Sequence, residues 1–100
     1  MILVRNVFRL KFGKAREATA LLKEGIAIQK RLGGGEVPAR LLSDVTGPYY
    51  TFVLELTFPS LSALEAGAPK MMGDKEWQAN YQKLVPLVDS GFREIFTIVE

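Results

Sequence analysis

Asn6, Trp77 and Tyr81 are the side chains best suited to hold a small molecule. Asn6 is an amide set among Ile2, Val4, Phe8, Leu10 and Phe12, which share one side of a strand by two-residue alternation. An amide on an apolar face must be hydrogen-bonded by something. Either a ligand in a pocket takes that role, or neighbouring backbone and water do. Trp77 and Tyr81 are four residues apart and share a helix face. As a site they offer an aromatic wall and a hydroxyl that can donate or accept a hydrogen bond. As core they are two amphipathic anchors between helix and sheet. Met71 and Met72 suit an adaptable apolar pocket or, equally, a turn between helical pieces. Residues 66–73 read as a movable rim.

The missing residue types restrict the chemistry. The chain has no cysteine and no histidine. Disulfides, thiolate nucleophiles and cysteine metal sites are excluded. So are a histidine base, a histidine metal or haem ligand, and the usual hydrolase triad. No metal and no cofactor are expected. Gly33-Gly34-Gly35 follows a helix and lacks a Gly-Lys-Ser/Thr partner, so it is no phosphate loop. A net charge of +2, spread over several elements, does not point to nucleic acid. No apolar run approaches the roughly 20 residues that span a bilayer. Met1–Asn6 meets Arg5 too early to read as a signal peptide. The expectation is a soluble, cytoplasmic protein.

Six patterned stretches must position these side chains. Residues 2–12 alternate as a strand, and 15–32 carry Ala18, Leu21, Leu22, Gly25, Ile28 and Leu32 at helical spacing. The three glycines after Leu32 are expected to stop that helix. Gly25 predicts close approach of the helix to a strand. Strands over 39–46 and 51–58 flank a turn at Thr46-Gly47-Pro48-Tyr49. Ser62-Ala63-Leu64-Glu65 has capping-box spacing, and Pro69 and Gly73 are expected to break the helix it opens. Asp74 can cap a further segment that ends near Val85, before Pro86. Residues 92–99 form a last strand, apolar on both faces. The order βαββαβ in residues 1–100 predicts one ferredoxin-like α+β domain with an antiparallel four-stranded sheet.

Both helices then lie on one sheet face. The other carries Leu3, Val7, Val53 and Thr57 among charges, which is too apolar for open water. A second copy of the chain is the simplest cover, giving a two-fold dimeric α/β barrel. Arg5, Arg9, Glu55 and Arg93 are expected at that interface, with Glu55 paired to an arginine.

The segments Val7-Phe8-Arg9-Leu10-Lys11-Phe12-Gly13-Lys14 and Gly73-Asp74-Lys75-Glu76-Trp77-Gln78-Ala79-Asn80-Tyr81 resemble the dimeric α/β-barrel superfamily, most of all its NIPSNAP-type branch. Leu84-Val85-Pro86-Leu87 and the stretch 28–33 agree. The superfamily also holds antibiotic-biosynthesis monooxygenases, haem-degrading enzymes, isomerases and stress-response proteins, so fold alone selects none of these activities. In haem-degrading members a strand asparagine, a helix tryptophan and a helix histidine form the pocket. The resemblance sets Asn6 at the asparagine, Tyr81 near the histidine and Met71 or Met72 near the tryptophan. The iron ligand is therefore missing.

Three functions compete. The first is a NIPSNAP-like binder of a small, mostly apolar ligand between sheet and helices. The second is a cofactor-independent monooxygenase acting on an aromatic or polyketide-like substrate, with Asn6 and Tyr81 as polar contacts. The third is a structural interaction module without catalysis.

Overall fold

The computed structural model describes residues 1–34 and 38–100. The elements follow as β1 (Ile2–Leu10), α1 (Ala15–Gln29), a π-helical turn (Lys30–Gly34), β2 (Ala39–Ser43), β3 (Thr51–Phe58), α2 (Leu61–Met72), α3 (Lys75–Leu84), a short 3-10 turn (Val85–Leu87) and β4 (Val88–Thr97). The strands form one sheet in the order β2-β3-β1-β4, every neighbouring pair antiparallel. This is the ferredoxin-like α+β arrangement, with β1 and β3 central.

Alternation along the strands sets the two faces. Val4, Leu10, Phe52, Leu56 and Phe58 are buried toward the helices. The core divides into two clusters. One joins Leu10 and Phe52 to Ala18 and Leu22 of α1, Leu84 of α3 and Leu87. The other joins Val4, Leu56 and Phe58, with half-buried Leu64 of α2 packed on it. Burying each large apolar side chain contributes roughly 1.5–3 kcal/mol. The helices share that contribution unequally: α1 buries Ala18, Leu22 and Ile28, whereas α2 has no fully buried residue.

The local signals hold in part. Asp74 caps α3 by accepting from the Trp77 backbone N–H at 2.8 Å. The cap of α2 is Ser60, whose Oγ accepts from the Ala63 N–H at 3.2 Å, and not Ser62. Ser60 lies just past the Pro59 that ends the strand, so the helix starts two residues earlier than the capping-box spacing suggests. Pro69 does not break α2, which runs through it to Met72. Proline removes one donor from the ladder, and the Gly73 N–H closes on the Pro69 carbonyl at 3.0 Å. The break comes at Gly73-Asp74 alone.

Three further expectations change. Gly33 and Gly34 continue the first helix as the π-helical turn instead of stopping it, and Gly35 lies outside the described residues. Gly25 faces α3, not a strand: a Cβ there would sit 3.4 Å from Asn80 Nδ2. The Asn80 amide in turn donates to the Leu21 carbonyl at 2.9 Å, tying α3 to α1. Phe12 lies beyond the end of β1 and is 73% exposed, so it is not core; its ring meets Tyr50 edge-on at 4.8 Å.

Candidate functional site

The two helix-side clusters leave space where α2 meets the sheet. Ala63, Gly67 and Ala68 of α2 face that space with too little side-chain volume to fill it. The result is an open cleft of ≈ 490 Å³. Phe58 and Ile95 wall it from the sheet, Leu64, Met71 and Met72 from α2, and Leu32 from the turn after α1. Among the described residues, the polar ones at its walls are Gln29, Glu65, Lys70 and Arg93. A cleft of this size lies within the range of small-molecule sites, roughly 300–1,000 Å³.

Of the residues expected to bind a ligand, Met71 and Met72 line this cleft, while Asn6, Trp77 and Tyr81 do not. Asn6 is on the helix-facing side and half-buried, opposite Leu54 on one neighbour strand and Arg93 on the other. Trp77 and Tyr81 stack on each other, centroids 5.2 Å apart and rings 12° from parallel. Tyr81 is 47% exposed, so it is not a core anchor. The stretch of α3 that anchors inward is Asn80 and Leu84.

Arg93 is a correction of a different kind. It was expected on the uncovered face with Arg5 and Arg9. The register pairs it with Asn6, and it lines the cleft on the helix side. The cause is a bulge: Arg9 pairs with Ser90 but Leu10 with Val88, so the face parity of β4 shifts where the strand begins. Nothing in the β4 sequence alone marks that shift.

The uncovered face carries a second arrangement. Arg40, Glu55, Arg5 and Glu94 stand in one cross-strand row over β2, β3, β1 and β4. Arg5 Nε donates to Glu55 Oε2 at 3.2 Å, and Arg5 Nη1 to Glu94 Oε1 at 2.8 Å. Arg40 donates to Glu55 Oε1 from Nε at 3.1 Å and also from Nη2. Glu55 is buried beneath these partners. Hydrogen bonds from Arg40 and then Arg5 hold its carboxyl below the ordinary glutamate value, although burial pulls it the other way. Apolar rows flank the charges: Leu42, Val53, Val7 and Phe92 on one side, Leu3 and Phe96 on the other. Phe92 is 59% and Phe96 46% exposed. Sequence reading missed Arg40 and Glu94; the alternation of Arg40 and Leu42 against Ala39 and Leu41 was the signal for the first.

Among the described residues, no cluster of three or more carboxylate ligands could hold a metal ion. No described helix is long and apolar enough to cross a membrane.

No family model matches the chain, and no curated protein matches it. Solved structures do. A NIPSNAP family protein from Agrobacterium tumefaciens is 26% identical, with a TM-score of 0.87 over 99% of this chain and 93% of that one. An uncharacterized NIPSNAP domain protein from Burkholderia xenovorans is 18% identical, with a TM-score of 0.86 over 99% and 95%. An antibiotic biosynthesis monooxygenase is more distant, 15% identical with a TM-score of 0.75 over the whole of both chains. The fold is thus that of NIPSNAP proteins and, less closely, of these monooxygenases.

Proposed function

We propose that this chain is a NIPSNAP-type protein that binds a small, mostly apolar ligand in the cleft between α2 and the sheet. The observation that carries the reading is the cleft itself: ≈ 490 Å³, walled mainly by aliphatic, thioether and aromatic groups, with few polar groups at its edge. Apolar walls with a small number of polar contacts are the usual composition of such sites. The monooxygenase reading gains less support, because it needs Asn6 and Tyr81 in one pocket and neither lines this cleft.

The test is titration with Nile red, a neutral apolar dye. Saturable binding at one site per chain is expected. Ala68→Trp places an indole on the cleft wall and is expected to abolish binding with the far-ultraviolet dichroism unchanged. Undiminished binding by that variant sinks the assignment of the cleft.

The same proposal includes a homodimer in the cytoplasm, with the uncovered sheet faces packed together. The support is the pattern on that face: exposed aromatics beside a row of alternating charge, which a two-fold copy can complement. Sedimentation velocity checks the assembly, and fractionation of the source cells checks the location. A monomer at high concentration, or a secreted protein, refutes these parts.

A further inference from the structure

We propose that the ligand of the cleft is a soluble single-chain amphiphile with an anionic end, a fatty carboxylate being the simplest, and that Arg93 anchors that end. This rests on the cleft being a ligand site and goes further by fixing the ligand's charge. The cleft is apolar along Phe58, Leu64, Met71 and Ile95, so a hydrocarbon chain or ring can lie there without stranding a polar group. Among the described residues, two cations, Arg93 and Lys70, border it against one carboxylate, Glu65. Lys70 and Glu65 belong to α2, and both are exposed. Arg93 belongs to β4, paired directly to the central strand β1, so its backbone is held by the sheet.

Arg93 makes no ion pair with any described residue, whereas Arg5, Arg31 and Arg40 are each paired to glutamate. No described carboxylate therefore competes for its guanidinium. A guanidinium matches the two oxygens of a carboxylate with parallel N–H donors. Asn6 stands directly opposite it across the strand pair, on the same face, and its side chain makes no hydrogen bond to a described residue. Asn6 does not itself line the cleft, and as a neutral amide beside the guanidinium it brings no competing negative charge.

The experiment measures displacement of Nile red by decanoate, decanol and decyltrimethylammonium. These share a chain and differ in end charge. Decanoate is expected to compete about tenfold better than decanol, the ratio corresponding to one charge-assisted hydrogen-bonded contact. Decyltrimethylammonium is expected to be the weakest. Arg93→Gln should bring decanoate down to decanol without moving decanol itself. Arg93→Lys should keep part of the preference. Both variants lie on an exposed side chain, and melting curves verify that they fold. Equal competition by all three amphiphiles, or a preference unchanged in Arg93→Gln, overturns the role of Arg93 while leaving the cleft a ligand site. Failure of the wild-type chain to bind Nile red and all three amphiphiles overturns both. Co-sedimentation with phosphatidylglycerol vesicles separates a free ligand from a membrane surface. The chain is expected in the supernatant, and pelleting refutes the soluble amphiphile.

Discussion

Arg5 and Glu55 face each other across the two central strands, Nε to Oε2 at 3.2 Å, on the side of the sheet that no described helix covers. Glu55 is the hub of its row, because it accepts from Arg5 and from Arg40. An exposed ion pair contributes little, commonly 0–1 kcal/mol. Glu55 differs because its own side chain is only 9% exposed, although Arg40 remains largely in solvent at 71%. Glu55→Ala is therefore expected to lower stability by about 1–2 kcal/mol in urea denaturation. It should also weaken self-association in sedimentation velocity. An unchanged urea midpoint would show that solvent replaces these hydrogen bonds at no cost. An unchanged sedimentation profile would place the interface elsewhere.

The same carboxyl sets a pH dependence. Its folded pKa is below the ordinary glutamate value, because Arg40 and Arg5 hydrogen-bond the charged form. The unfolded chain therefore binds a proton first as pH falls, and the folded state loses stability relative to it. The contribution of Glu55 is complete above the unfolded value and disappears as pH falls through the folded one. Urea midpoints measured from pH 7 downward should drop more steeply in the wild-type protein than in Glu55→Gln. Parallel curves for the two proteins would remove Glu55 as the cause.

Much of this architecture was legible in the chain. The alternation in β1 and β3 was readable because each strand has one face on a core and one outside, so residue type follows side. The break at Gly73 and the cap at Asp74 were readable because both act through local backbone chemistry. The cleft was half legible: Met71 and Met72 stood out by type, but Ala63 and Ala68, which with Gly67 create the space, look like ordinary helix formers. Arg93 was misplaced because strand register is a tertiary property. One bulge at Arg9/Leu10 changes which side of β4 faces the helices, and no local pattern announces it. Trp77 and Tyr81 looked like anchors because of their size, yet the smaller Asn80 and Leu84 on the same helix make the inward contacts.

Gly91 tests the register directly. It sits opposite Phe8, just past the bulge, where β4 runs close to β1. A Cβ at this position would lie 3.0 Å from the Val7 carbonyl oxygen and 3.3 Å from Phe8 Cδ1. The nearer atom is backbone within a paired strand, so it can yield only by distorting the ladder. Gly91→Val is expected to destabilise the chain by about 1–3 kcal/mol, the usual range for overpacking. Thermal unfolding measures it. A melting temperature equal to wild type would mean that β4 lies farther from β1 than the register places it.

Helix α2 should be the first helix to open. It buries no side chain fully, holding to the Val4, Leu56 and Phe58 cluster through half-buried Leu64. Pro69 has no N–H, so the Glu65 carbonyl lacks its usual helical donor. By contrast α1 is fixed by three buried residues and by the Asn80 bond to the Leu21 carbonyl. Local opening free energy follows such differences in apolar contact and hydrogen bonding. Amide hydrogen exchange is therefore expected to be at least tenfold faster in α2 than in the middle of α1, a difference of about 1.4 kcal/mol in opening. A ligand seated in the cleft touches α2 along Leu64, Ala68 and Met71 and stabilises the closed form by mass action. Saturating decanoate should then slow exchange in α2 and leave the middle of α1 unchanged. If α2 is protected as strongly as α1 without ligand, the cleft is a rigid feature and its small residues do not loosen the helix above it.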